Sequence, residues 1–330
     1  MRADLVHYFS DRRLAVRTRL WRNSVKLMLL TFDVEDWHPL ADEWVYGFRT
    51  TPSGRVPLQV DQIRRVLDSL GARGTFFCVG STAEAYPSVI RSLAADGHEI
   101  ASHGYSHTPV YAFSPSQFEA DLKRAHEVLS DLSGRPPIGF RAPQFSITSA
   151  TWWAFAILVK WGYLYDSSIF PIRHRRYGIP GFDRYPKYIQ AAGRTIVELP
   201  LATAGFCGVN LPIAGGGYFR FTPKWALTRV VNQVAEHLSP FTTYFHPYEF
   251  DPSPLRLTVQ ATSLGMAVKA RKFTTLQNFG RHSVAGKILM VASNAKIMPC
   301  CEFIERLTIQ RTSSPAGVPY FESSDDAARR

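Results

Sequence analysis

Two histidines four residues apart, in His103-Gly104-Tyr105-Ser106-His107, have the spacing of metal ligands. On a helical turn, positions i and i+4 share a face, so both imidazoles could reach one ion. A third ligand has to come from another segment, and Asp33-Val34-Glu35-Asp36 offers three acids in four residues. Carboxylates packed that closely repel one another unless a cation or a shared proton lies between them. Two histidines and one carboxylate leave coordination positions open for water, as catalytic sites do and structural sites do not. Arg141, at the head of Arg141-Ala142-Pro143, has a donor fork suited to orienting a carboxylate. His246, in His246-Pro247-Tyr248-Glu249, follows an apolar run and would be held at a strand tip. Each group alone has an ordinary explanation: exposed or satisfied histidines, a solvated acidic turn, a surface arginine, a core-edge histidine. Their joint order and spacing argue for chemistry.

The segments that would position these groups alternate between strand-like and helical patterns. Strands are expected at Lys26–Phe32, Thr75–Val79, Glu99–Ala101, Gly139–Arg141, Leu164–Tyr165, Ile196–Leu201 and Thr242–Phe245. Helices are expected at Leu58–Leu70, Ala83–Ala95, Ser114 or Ser116 to Leu132, Ser149–Trp161 and Pro223–Leu238. That alternation calls for parallel strands with crossover helices, as an open sheet or a barrel. Polar and ionisable groups cluster just after the strands, at Asp33–Asp36, Ser102-His103, Arg141, Asp166 and His246. Active sites of parallel α/β folds sit at that carboxyl end.

The 330 residues include 38 Lys+Arg and 27 Asp+Glu, a formal net charge of 38 − 27 = +11. The length suits one large α/β domain or two smaller ones, and 45% apolar with 20% charged residues is the balance of a folded globular chain. Residues 1–27 read as a basic extension, disordered or upstream of the true start at Met28. Without their seven Lys/Arg and two Asp the charge falls to (38 − 7) − (27 − 2) = +6, weak support for a nucleic-acid partner. The extension lacks the apolar stretch of about 7–15 residues that a signal peptide needs, so a cytoplasmic location is expected, at the inner membrane face if membrane-associated. No run of about 18 apolar residues occurs. Four cysteines, two of them the neighbours Cys300 and Cys301, do not make a disulfide scaffold. The catalytic unit is expected over 28–255, a helical segment over 256–312 and a tail over 313–330.

Taken together, Thr31-Phe32-Asp33, Thr75-Phe76-Phe77 with Gly80, Ser102-His103 to His107, Arg141-Ala142-Pro143 and His246 resemble the polysaccharide deacetylase family, the NodB-homology group of carbohydrate esterases. The match runs from about Leu29 to Glu249 with the motifs in the family's order. Asp33-Val34-Glu35-Asp36-Trp37, Tyr165–Pro171, Arg176–Pro180, Gly215–Tyr218 and His246–Glu249 resemble one branch, the exosortase-associated exopolysaccharide deacetylases, which carry a distinctive segment, here roughly Arg173–Lys272. The resemblance implies a distorted (β/α) barrel with outer helices. The implied reaction is hydrolysis of an acetamide on an amino sugar of an exopolysaccharide or lipid-linked precursor. By resemblance Asp33 is the base, His246 the acid, Arg141 the orienter of Asp33, and His103 and His107 ligands of a divalent ion, Zn²⁺ by default. Pro143, Gln144, Asp166 and Tyr105 are expected at the substrate.

The first motif departs from the family, where the second of two consecutive acids binds metal. Here Val34 takes that place. Strand alternation puts Glu35 on the side of Asp33, residue type favours Asp36, and the sequence leaves the choice between them open. Gln144 stands where many relatives carry an aromatic, yet its backbone N–H could still serve an oxyanion. Trp152, Trp153 and Trp161 read as core rather than a sugar platform, Gly215-Gly216-Gly217 as a tight turn at the mouth, and Cys78 as small core. Competing readings on the same scaffold are a deformylase or cyclic-amide hydrolase, and a silent glycan-binding module.

Overall fold

The computed structural model describes residues 26–237, 240–257 and 261–313. The extension and tail read from sequence lie outside them, except for Lys26, Leu27 and Ser313. The strands expected near the amino terminus form one extended path, β1 (Lys26–Leu29) and β2 (Thr31–Val34), broken at Leu30. Both strands are almost wholly buried, as are β3 (Thr75–Cys78) and β4 (Glu99–Ser102). Parallel strands covered on both faces read as unbroken apolar runs, which is why they were visible in the sequence.

Four further strands extend the sheet: β5 (Gly139–Phe140), β6 (Tyr165–Asp166), β7 (Lys187–Ala191) and β8 (Arg194–Glu198). The order is β2-β3-β4-β5-β6-β8-β7, with all pairs parallel except the β7–β8 hairpin. A second hairpin, β9 (Thr203–Phe206) with β10 (Val209–Pro212), follows. β11 (Phe241–Thr242) and β12 (Ala295–Ile297) flank β1 in parallel. Single hydrogen bonds rather than a ladder bridge the remaining gap. The Ala202 N–H donates to Thr242 O at 3.0 Å, the Thr243 N–H to Leu29 O at 3.0 Å and the Phe245 N–H to Thr31 O at 3.1 Å. The result is a distorted barrel of parallel strands.

Helices pack outside: α1 (His38–Ala41), α2 (Val56–Ser69), α3 (Gly80–Ala85), α4 (Pro87–Ala95), α5 (Pro115–Ser133), α6 (Ala154–Lys160), α7 (Gly216–Phe221) and α8 (Lys224–His237). α2 buries Val56, Val60, Ile63, Val66 and Leu67 at helical spacing, each burial worth about 1.5–3 kcal/mol. α5 opens on a reciprocal cap between Ser114 and Gln117 and stops at Gly134, whose φ of 75° suits only glycine at low cost.

Several boundaries differ from expectation. The helix read over Ala83–Ala95 is two, because Pro87 lacks an N–H and forces Tyr86 out of the helical region, to φ −131° and ψ 59°. The helix read over Ser149–Trp161 begins as a 3-10 turn and becomes α6 only at Ala154. The segment read as helical over 256–312 holds α9 (Leu264–Asn278), α10 (Val284–Ala292) and α11 (Cys300–Ser313), but also β12, which joins the sheet beside β1. Trp152, Trp153 and Trp161 pack partly buried against the core between α5, α6 and β5. Cys78 is fully buried.

Candidate active site

Asp33 is the third residue of β2. Its main chain is fixed on both sides, opposite Phe77 of β3 and through its N–H to Phe245 O at 2.8 Å. Its carboxylate accepts from Arg141 Nη1 at 2.6 Å. Arg141 is fully buried, and its other donors are also committed: Nη1 to Thr31 Oγ1 at 2.7 Å, Nε to Ser167 O at 3.0 Å and Nη2 to Ser167 Oγ at 2.9 Å. A buried guanidinium is tolerable only when paired and fully bonded, so this network fixes the orientation of Asp33.

Past the end of β2 the two remaining acids part company. The carboxylate of Asp36 is taken by the Ser53 N–H and Oγ, both at 2.8 Å, and by the His38 N–H at 3.2 Å. Glu35 instead points to the histidines. The ligand atoms of Glu35, His103 and His107 all lie within 4.8 Å of one another. Glu35 is thus the acid that stands with the histidine pair, and Asp36 tethers the following loop.

His103 begins the segment after β4. Its Nδ1 lies 2.7 Å from the Arg141 carbonyl, which can only accept. Nδ1 therefore carries the proton and the Nε2 lone pair is left for an ion. The i, i+4 pair does not ride on a helical turn, as the spacing had suggested. A loop brings the rings to 5.2 Å, with Gly104 at φ 71° and His107 itself at φ 57°. Asp121 pins that loop by accepting from the Tyr105 N–H at 2.8 Å and the Ser106 N–H at 3.0 Å. Gln144 and Phe145 also hold left-handed φ values of 55° and 52°. Non-glycine residues in that region cluster where surrounding structure over-determines the backbone, often at functional sites.

His246 faces Glu35 from the other side, Nε2 to Oε1 at 3.4 Å. Its main-chain N–H donates to Glu249 Oε2 at 3.0 Å, and that same oxygen lies 3.9 Å from its ring Nδ1. Tyr248 stacks on the ring at 5.5 Å and Tyr244 meets it edge-on at 5.8 Å.

The charges are strongly coupled. Burial alone would raise the Glu35 carboxyl, but the imidazoles of His107, His246 and His103 overcome it and bring it to about 2. Burial dominates at His103 and drives it down to about 4, the neutral form a metal needs. His107 is also opposed by burial, yet contact with Glu35 holds it above its ordinary value. At His246 the acids Glu249, Glu35 and Asp33 outweigh burial and lift it to about 9.

Asp33, Glu35, His103, His107 and His246 all line one cavity of about 380 Å³. Gln144 lines it too, but the other expected substrate contacts do not. Tyr105 turns outward, its hydroxyl on Glu84 at 2.7 Å and its ring under Arg124 at 3.7 Å. Asp166 is buried beneath the site, accepting from Ser168 Oγ at 2.7 Å, and Ser168 Oγ in turn accepts from the Ala142 N–H at 2.7 Å. Asp166 therefore supports the Arg141–Pro143 loop from below, and Pro143 is not part of the lining. The glycine run is no turn at the mouth. A Cβ on Gly216 would fall 1.8 Å from the Glu249 carboxylate and one on Gly215 2.4 Å from the Tyr244 ring, so these glycines let His246's supports approach.

Residues that sequence reasoning gave no role also line the cavity: Trp37, Arg176, Tyr177, Tyr244, Tyr248 and Gln277. Arg176 and Tyr177 lie within a motif already singled out. Gln277 carried no signal, since it arrives on α9 from 31 residues beyond His246.

Residues 22–163 match the family model for polysaccharide deacetylases, and residues 167–289 match a domain of unknown function, DUF3473. A Gibberella zeae peptidoglycan deacetylase-like protein is 33% identical over 119 residues, 36% of this chain and 34% of its own length. A Helicobacter pylori peptidoglycan deacetylase is 33% identical over 100 residues, 29% of this chain and 31% of its own. The matches thus span about a third of each of these relatives. A Mycobacterium smegmatis crystal structure, assigned as a polysaccharide deacetylase, superposes with a TM-score of 0.58 at 22% identity, covering 90% of this chain and 94% of that one. It shares the fold. Residues 22–163 are thus similar to a polysaccharide deacetylase domain, and the segment matching DUF3473 carries β8, β11 and His246.

Proposed function

We propose that the chain is a metal-dependent hydrolase that removes N-acetyl groups from amino sugars of a polysaccharide. One observation carries this reading. Glu35, His103 and His107 converge within 4.8 Å beside the Arg141-bound Asp33, with His246 across Glu35 and all of them opening into one cavity. The trio fits a divalent cation. His103 offers a bare Nε2, Glu35 is held ionised, and Glu35 Oε2 receives no amide or hydroxyl hydrogen bond. When bound there, such an ion acidifies water and polarises a carbonyl.

This chain's own residues divide the rest of the work. Asp33, oriented by Arg141, accepts a proton from water as its oxygen bonds the acetyl carbon. Gln144 lines the cavity, and its backbone N–H would donate to the developing oxyanion, a contact worth about 2.7–4 kcal/mol in comparable sites. His246, kept protonated by Glu249 and the neighbouring acids, gives its proton to the nitrogen as the C–N bond breaks. The products are acetate and a free amine. Trp37, Tyr177 and Tyr248 offer aromatic surface on which sugar rings stack.

The finer reading is an exopolysaccharide, as polymer or lipid-linked precursor, with Zn²⁺ as the ion and the inner membrane face as the place of action. It rests on the resemblance of the motifs to the exopolysaccharide branch, while the deacetylase names of the relatives and the acid–base constellation support the coarser reading. The test is acetate release from N-acetylhexosamine oligomers by chelated and metal-restored protein, with metal content measured on each sample. Acetate release that needs the metal is expected. Full activity in the chelated, metal-free protein overturns the metal-dependent reading, and tight glycan binding without turnover under any metal would make the chain a binding module.

A further inference from the structure

We propose that α9 docks this protein on an anionic lipid bilayer and brings the mouth of the catalytic cavity to the headgroups. The inference deepens the reading above by naming where that cavity meets its substrate, and it rests on that reading only for the substrate's location.

Between Asp251 and Glu302 the sequence has no acidic residue, while those 50 positions hold Arg256, Lys269, Arg271, Lys272, Arg281, Lys287 and Lys296. This stretch contributes +7 of the chain's +11. α9 lies within it and has two faces. The inner face packs Met266, Ala270 and Phe273 against the cluster around Trp37, whose ring stacks on Phe273 at 6.3 Å. The outer face carries apolar side chains at helical spacing, with Leu264 83% exposed, Val268 60% and Leu276 40%, and Lys272 stands in the same row between Val268 and Leu276. Phe279, 57% exposed, continues the stripe and stacks on the exposed Phe221 of α7 at 5.2 Å. Lys269 and Arg271 are exposed beside that row.

Exposed apolar side chains in one row cost free energy in water and mark an interaction face. No helix among the described residues is long and apolar enough to cross a membrane. A helix that sets exposed apolar side chains among cations, in a stretch of sequence without acids, has instead the pattern of one lying in the bilayer interface, drawn down by anionic lipid. Charge complementarity selects that occupant over a second copy of this chain, which would press two acid-free basic faces together. The position is apt, because Gln277 and the Trp37 that Phe273 supports both line the cavity.

The test is flotation of the full chain with phosphatidylcholine vesicles and with vesicles containing about one-third phosphatidylglycerol. Two variants are compared, Val268→Asp and the double variant Lys269→Glu/Lys272→Glu. Wild type is expected to float with the anionic vesicles and not with the zwitterionic ones. Each variant should partition at least about tenfold more weakly, with unchanged thermal melting and unchanged acetate release from a soluble oligomer. Equal partition of wild type and both variants overturns the proposal. So does a wild-type dimer in solution that Val268→Asp dissociates, which would assign the face to a second copy. Failure of the deacetylase reading would appear in the soluble assay alone and leave the flotation result standing.

Discussion

Glu99, buried, and Glu35, half-buried, are glutamates at opposite ends of the same barrel. Glu99 opens β4 at the amino end and accepts from Thr75 Oγ1 at 2.7 Å, Tyr165 Oη at 2.8 Å and the Cys301 N–H at 2.8 Å. The first turn of α11 thereby plugs the barrel floor. These donors are neutral, so burial prevails and the carboxyl is raised above its ordinary value. Glu35 sits beyond the carboxyl end of β2, surrounded by imidazoles instead of neutral donors, and is lowered to about 2. A saturated acid is a structural part. An acid whose oxygens face titratable rings at a cavity is a site for a cation. The sequence shows a glutamate in both places, and only the partners separate them.

The contrast breaks most sharply at Glu35. Glu35→Gln is expected to lose bound divalent metal and at least about 10³-fold in kcat/KM, and to lower the melting temperature, because the carboxylate that the imidazoles stabilise in the folded chain is gone. Metal analysis beside acetate release checks it, and retained stoichiometry would show that Glu35 is no ligand.

His246 is the next point of attack. Its proton must be present for amine departure, so activity should fall as pH rises through its raised value, about 9 without a cation on Glu35. Glu249→Gln removes a raising neighbour, so the alkaline limb of the kcat/KM profile should move to lower pH. A limb that does not move would assign Glu249 to backbone support alone.

Glu99 tests the other half of the comparison. Glu99→Ala leaves two hydroxyls and an amide unpaired and should cost about 2–4 kcal/mol by denaturant unfolding, with metal content unaltered. Its folded-state value lies above the unfolded one. Stability is therefore greatest below the unfolded value and declines as pH rises through the folded value. Glu99→Gln keeps an acceptor and a donor for the same partners, so it should flatten that decline. The smallest effect is expected at Asp36. Asp36→Asn should retain full metal and loosen the 38–53 loop by about 1 kcal/mol. Metal loss there would transfer the ligand role from Glu35.

Much of this arrangement is legible from residue order. The apolar runs of β2, β3 and β4, the periodic face of α2 and the polar groups after each strand follow from local period and composition, and they carry the family resemblance. Alternation along β2 already put Glu35 on the side of Asp33, although residue type argued for Asp36. What decided between them was Ser53, which lies across a loop and saturates Asp36. Tyr105 and Asp166 looked like substrate contacts because they adjoin the motifs. One is turned outward onto Glu84 and Arg124, and the other lies under Ser168.

The chain by itself determined which elements form and which chemical groups each delivers to the barrel's carboxyl end, because those properties depend on neighbours a few residues away. Tertiary structure alone decided which acid meets the histidines, that Glu249 governs His246, and that α9 brings Gln277 to the cavity. Burial, hydrogen-bond saturation and charge coupling act through space between residues far apart in the chain, as Glu35 and His246 are at 246 − 35 = 211 positions, and no local pattern encodes them.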